Sequence, residues 1–254
     1  MKLILAVLFG LLLTACSSSG DKGRDAQQEA QVDAEASARI HTELAAVYYG
    51  QKQYAVALDE LKQALNMNSN YAPAYGVRGL VYMALHEDKK ADDDFEHSLD
   101  LDSNDSGTRN NYGWFLCQRG REKESMQQFL EAVKNPLYAT PEKAFLNAGL
   151  CSSKFGKLKD AETYLKNALS RQPNMKEALV GMAELSFAKA DYAGAKAYFL
   201  RLSRNGADLS AADLLLAVRV ERKLGDRNAE ASYKLQLRKR FPESREARLI
   251  TSGG

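Results

Sequence analysis

Leu44-Ala45-Ala46-Val47-Tyr48, followed nine residues later by Ala57-Leu58-Asp59-Glu60-Leu61, is the stretch that decides the fold. Its content is a small residue (Ala45), an aromatic (Tyr48), then a second small residue (Ala57) with a large apolar one (Leu61) four positions on. Residues four apart lie on one face of a helix. The small–large pair recurs down the chain as Ala57/Leu61, Ala91/Phe95, Ser125/Phe129, Ala161/Leu165, Ala195/Phe199 and Ala229/Tyr233, at intervals of 34, 34, 36, 34 and 34 residues. The upstream small residue recurs with it, as Ala45, Gly79, Gly113, Gly149, Ala183 and Ala217. Small residues at both places let two antiparallel helices approach closely, while the large one fills the gap beside them. Self-similarity at this period means a stack of helix pairs, and such stacks mostly bind other proteins.

The pattern resembles the tetratricopeptide repeat, a 34-residue helix-turn-helix. It predicts an all-α fold, a superhelical solenoid of six repeats at residues 38–71, 72–105, 106–139, 142–175, 176–209 and 210–243 within an array over 38–254. Leu44-Ala45-x-x-Tyr48 and Gly79-x-x-Tyr82 are similar to the family's Leu-Gly-x-x-Tyr. Turns inside the repeats are expected at Gln51-Lys52-Gln53, Glu87-Asp88, Gly120, Gly156, Ala190-Asp191 and Gly225. Glycine there suits a helix end that needs a left-handed residue. Pro173 and Pro242 follow second helices, where proline stops propagation. The sixth repeat is the most atypical, with Val220 and Gln236 at positions that usually carry Tyr and a small residue. Between repeats 3 and 4 the spacing grows by two, within Asn135–Pro141. This extended loop is expected to divide the array into two halves of three repeats, as a hinge or simply as a longer loop.

The N-terminus indicates the compartment. Lys2 precedes an apolar run from Leu3 to Leu13, too short for the ~20 residues that span a bilayer, so residues 1–15 read as a signal peptide. Leu13-Thr14-Ala15-Cys16 resembles the lipobox of bacterial lipoproteins, which implies lipidation of Cys16; the alternative is an ordinary cleavage site with a chance cysteine. Ser17 stands where an Asp would imply inner-membrane retention, so the resemblance implies the periplasmic face of the outer membrane of a Gram-negative cell. Several acyl chains make a stable anchor. Residues 16–37 hold the lipidated cysteine and a segment with almost nothing to bury, expected as a flexible tether with a reach of ~60 Å. Its Ala/Gln/Glu part, residues 25–37, has some helical character.

Thirty-five basic residues nearly balance 33 acidic ones, a formal net charge of +2, and no long basic run occurs. Nucleic acid is therefore not an expected partner. Nor is chemistry. His41, His86 and His97 lack metal-ligand spacing and read as surface histidines. Cys117 and Cys151 form no Cys-x-x-Cys, and no phosphate loop or nucleophile elbow is present. Asp92-Asp93-Asp94 beside Lys89 and Lys90 reads as a solvated charged face. The expectation is a non-enzyme with no catalytic residue, cofactor, metal or small-molecule substrate.

In the tetratricopeptide fold, positions 5, 9 and 12 of each first helix face the concave surface. In the first three repeats they include Tyr49, Leu80, Met83, Asn110 and Trp114, an apolar and aromatic lining with one polar contact, and these five are the candidate partner-binding groove. A patch of this kind is an aggregation liability unless a partner uses it; the alternative places Leu80 and Trp114 in packing between helices. Thr42 and Ala46 stand where the carboxylate clamp of some family members needs Lys and Asn, so an apolar or extended-segment ligand is favoured. Cys117 and Cys151 fall in the first helices of consecutive repeats, which are neighbours in a solenoid. In an oxidising periplasm they are expected to pair, the alternative being two buried thiols.

Two further stretches are more specific. Arg-Asn-Asn-Tyr-Gly-Trp-Phe-Leu at 109–116 and Ala-Ser-Tyr-Lys-Leu-Gln-Leu-Arg-Lys-Arg-Phe-Pro-Glu-Ser at 231–244 resemble the third repeat and the C-terminal end of the type IV pilus biogenesis lipoproteins, the PilW/PilF family of tetratricopeptide pilotins. The resemblance implies a role in assembly or stability of the outer-membrane pilus secretin. A general outer-membrane repeat lipoprotein, scaffolding peptidoglycan hydrolases, proteases or β-barrel assembly, remains the alternative.

Overall fold

The computed structural model describes residues 19–251, with side chains over residues 28–250. The described residues form thirteen helices and no strand. In order these are α1 (Ser19–Gly50), α2 (Tyr54–Met67), α3 (Ala72–Ala84), α4 (Asp88–Leu101), α5 (Ser106–Gln118), α6 (Glu122–Lys134), α7 (Pro141–Lys154), α8 (Leu158–Arg171), α9 (Lys176–Ala188), α10 (Tyr192–Arg204), α11 (Ala211–Leu224), α12 (Arg227–Arg240) and α13 (Arg245–Thr251). Each odd-numbered helix up to α11 packs on the next, giving the helix pairs of a tetratricopeptide array. The chain forms two compact units: α1–α4, up to Leu101, and α5–α13, from Asp102.

The spacing of small and large residues explains how each pair closes. A Cβ placed on Gly79 would stand 2.9 Å from the ring of Phe95, one on Gly113 2.7 Å from Phe129, and one on Gly149 2.7 Å from Leu165. Side chains essentially never approach so closely, so glycine is required for the large residue to lie flat against the facing helix. Ala57, Ala91, Ser125, Ala161 and Ala195 are buried beneath the same contacts. Ser125 adds a hydroxyl where the other repeats have a methyl, and it donates to the Gly113 carbonyl at 2.8 Å, so its burial is not penalised. The pattern loosens at the end: Ala229 and Tyr233 are only half-buried.

Each first helix ends on a left-handed residue: Lys52, His86, Gly120, Gly156, Ala190 and Gly225, with φ between 60° and 80°. The amide one residue further on bonds back to the carbonyl five residues before it, as in Gln53 to Tyr48, Glu87 to Tyr82, Arg121 to Leu116 and Asp191 to Ser186. This is the hydrogen-bond pattern of a Schellman turn. In the second repeat the turning residue is therefore His86, one place before the expected Glu87-Asp88.

Two features differ from the sequence expectation. The first concerns the segment expected as a tether with some helical character over 25–37, of which residues 19–37 all belong to α1, a single 32-residue helix. Ala, Gln and Glu favour helix, and a helix already nucleated by its packed half extends at little cost. Side chains from Gln28 to Asp33 are exposed, and burial begins with Ala38. The apolar run Leu3–Leu13 and Cys16 lie outside the described residues. The second concerns Asn135–Pro141, which does not separate two halves, because both of its sides belong to the unit that starts at Asp102. Asn135 ties the loop down, accepting from the Leu137 amide at 2.9 Å and donating to the Asn104 carbonyl at 3.3 Å. Across the junction Cys117 on α5 is disulfide-bonded to Cys151 on α7, their Cα atoms 6.0 Å apart. Lys157 also reaches Glu122 at 2.5 Å. Closing that 34-residue loop contributes about 4 kcal/mol on the chain-entropy model.

Candidate partner-binding surface

The five side chains of the expected groove fall in different units. Tyr49, Leu80 and Met83 belong to the first, Asn110 and Trp114 to the second. In the first unit Tyr49 sits in the last turn of α1, half-buried against the cluster around Ala45, Leu61 and Val81. Its ring lies 6.1 Å from that of Tyr54. Burial first, and then Tyr54, pushes its hydroxyl above the ordinary 10.0, so the phenol stays a neutral donor. Leu80 and Met83 are half-buried on α3. Beside them Arg78 grips the buried Asp94 of α4 with two hydrogen bonds of 2.7 and 2.8 Å, and its guanidinium lies 5.0 Å over the Tyr75 ring. A forked pair of this kind sets the helix orientation as well as holding charge.

In the second unit Asn110 is buried, and its side-chain oxygen accepts from Asn147 of α7 at 3.0 Å. Its polar end is therefore engaged between two first helices. Trp114, one turn further along α5, packs half-buried on the cluster of Cys117, Phe129, Ala148 and Cys151. Lys154 closes the end of this cluster by donating to the Cys117 carbonyl at 3.1 Å. The disulfide thus backs the indole and fixes α5 to α7 beneath it. The ring is therefore packed between helices on one side and only partly exposed.

A second apolar surface escaped the reading of positions 5, 9 and 12. Ile40, Leu44 and Val47 of α1 are 54%, 41% and 56% exposed, at i, i+4 and i+7 on one face. They are positions 3, 7 and 10 of the first repeat. The same positions are buried in later repeats, as Ala144, Ala148 and Cys151 or as Ala178, Met182 and Leu185. There the preceding second helix covers them; among the described residues no helix precedes α1. End repeats normally turn a polar face to water, and this one turns an apolar face. The signal was present in the sequence, as apolar residues on the side of α1 opposite the buried Ala38, Thr42 and Ala45.

No helix among the described residues is long and apolar enough to cross a membrane.

Comparison with known proteins agrees with this architecture. Residues 72–105 and 154–218 each match a tetratricopeptide repeat family. The chain is 30% identical over 249 residues to the type IV pilus assembly protein PilF of Pseudomonas aeruginosa, covering 95% of this chain and 94% of that one. A crystal structure of PilW, described as a widely conserved type IV pilus biogenesis factor, superposes with a TM-score of 0.77 at 35% identity, over 84% of this chain and 98% of that one. The structure of P. aeruginosa PilF also gives 0.77, at 28% identity, over 87% of this chain and all of its own. With that identity sustained over almost its whole length, the chain belongs to the PilF/PilW family of type IV pilus biogenesis factors.

Proposed function

We propose that this protein is an outer-membrane lipoprotein, anchored through Cys16, that assists assembly or stability of the pilus secretin. The observation that carries the reading is the apolar face Ile40/Leu44/Val47 on the first helix pair, left open at the end of the array that leads back to the anchor. Tyr49, Leu80 and Met83 add partner contacts within the first unit, and Trp114, with Asn110 positioning its neighbour, offers a separate contact within the second. The exposed lead of α1 acts as the spacer between anchor and array. Anchoring converts encounter with another membrane-bound component into a local event at high effective concentration. The repeats contribute shape and apolar contact, and the role is one of binding, without catalysis.

The test is genetic and biochemical. Ile40→Asp with Val47→Asp places charge on the exposed face without touching the core. Truncating an anchor side chain typically costs ~2 kcal/mol or more, about 30-fold in affinity, so secretin capture should fall at least that far while helical content holds. Cys16→Ala should leave a folded array that supports few heat-resistant secretin multimers. Normal multimers and normal piliation in a strain lacking the gene would sink the secretin reading and leave the general scaffold in its place.

A further inference from the structure

The outer face of the last helix pair carries basic residues around an exposed leucine. The exposed residues of α12 include Arg227, Leu235, Arg238 and Lys239, and no acid is among them. At 100° per residue the arc from Arg227 to Lys239 covers about 120° of the helix surface. Leu235, in the middle of that arc, is 61% exposed. The acids of this pair are turned to other tasks. Glu230 is held by Arg222 at 3.0 Å and Lys234 at 2.6 Å, and Glu221 and Asp226 share Lys196 at 2.8 and 2.9 Å. Asp213 completes the capping box with Ser210. Among the described residues no ion pair engages Arg227, Arg238 or Lys239.

Basic residues in the final turn of a helix compensate its dipole, which accounts for Arg238 and Lys239 as ordinary caps. It does not account for Arg227, which stands at the positive end of the same helix, nor for a leucine left in water between them. Nor does the fold demand such a face. The equivalent helix of the second repeat, α4, carries paired charges on its exposed side, such as Lys89 with Asp93 at 2.8 Å.

We propose that the α12 face docks on a membrane surface bearing anionic phospholipid headgroups. One helix face is convex, so it offers no groove for a peptide segment. Basic side chains around an exposed leucine match the interfacial arrangement in which the cations meet headgroup phosphates and the apolar residue enters the boundary. This contact is separate from the acyl anchor and from any pilus partner, and it provides the array with a second attachment to the bilayer.

The chain produced from residue 17 onward retains every described residue and carries no acyl group. It is mixed with vesicles of phosphatidylcholine, with or without phosphatidylglycerol, and sedimented. Each basic residue near an anionic surface raises the partition coefficient roughly 5-fold. The expected result is sedimentation with phosphatidylglycerol vesicles only, lost at high salt, and lowered on the order of 100-fold in the triple variant Arg227→Gln, Arg238→Gln, Lys239→Gln. Leu235→Ser should weaken binding while leaving its salt dependence unchanged. All four positions are exposed, so circular dichroism and melting should match the parent. Three outcomes overturn the proposal: no sedimentation with anionic vesicles, equal sedimentation with both kinds, or undiminished binding by the triple variant. Retention on an immobilised acidic protein without vesicle binding would also overturn it and reassign the face to a protein partner.

Discussion

Gly113→Ala is a one-methyl test of how the helix pairs close. In an open helix the substitution stabilises by up to about 1 kcal/mol, because alanine is the better helix former. Here the new Cβ meets three ring atoms of Phe129, at 2.7, 2.8 and 3.2 Å. Carbon atoms settle at about 3.5–4.0 Å, so the ring or the helix must yield roughly 1 Å. Phe129 is fully packed and sits beside the disulfide cluster, which leaves little room to move. Overpacking of this kind costs about 1–3 kcal/mol, so the net expectation is a loss of about 1–2 kcal/mol. For an array of this size that lowers the melting temperature by about 2–8 °C. Gly50→Ala is the control, since nothing lies within 4 Å of a Cβ there, and it should be neutral or stabilising. Adding Phe129→Leu to Gly113→Ala should recover part of the loss, a coupling that a double-mutant cycle measures. Thermal and urea unfolding of five proteins (the parent, Gly113→Ala, Phe129→Leu, the double variant and Gly50→Ala), oxidised throughout, decides the matter. If Gly113→Ala raises stability as Gly50→Ala does, the close approach of α5 to Phe129 is wrong.

Ala190→Gly should stabilise the protein by about 0.5–1 kcal/mol, because Ala190 holds a left-handed φ of 60° where three of the other five first helices have glycine; an unchanged or lower unfolding midpoint would contradict that. Hydrogen bonds from Lys166 first, then Lys189, both at 2.6 Å, draw the Glu162 carboxyl down from 4.5 to about 2. A depressed carboxyl stabilises above its unfolded value and loses that contribution as pH falls from 4.5 toward 2. Glu162→Gln should therefore flatten stability over that window and leave its slope unchanged near neutrality, as acid titration followed by circular dichroism would reveal.

The fold class was legible because the repeat imposes one constraint many times. Ala57/Leu61 alone is weak, but the same pair at six places with a matching upstream small residue leaves few architectures. Gly120, Gly156 and Gly225 were legible as turns because a left-handed residue favours glycine. His86 was not, since histidine carries no comparable turn signal. The start of α1 was legible only in part, with helical character expected for residues 25–37 but not for 19–24. Residues 19–37 have little to bury, which argues for disorder, yet their composition propagates a helix once Ala38 and the residues beyond it are packed.

What sequence by itself determined is periodic and local: helix pairs, the small residues at their crossings, the turn glycines and the family. What only the tertiary structure decided concerns neighbours. Whether Ile40, Leu44 and Val47 are core or surface depends on whether a helix precedes α1, and their composition is that of the buried positions in later repeats. Whether Asn135–Pro141 divides the array depends on the disulfide between Cys117 and Cys151, the Lys157–Glu122 pair and the Asn110–Asn147 bond that cross it. Whether the arginines and lysines of α12 are caps or a docking face depends on which acids their neighbours have already taken. A repeat pattern states which residues are equivalent, whereas burial and pairing belong to the particular neighbours each copy has, and at the ends of an array those neighbours differ.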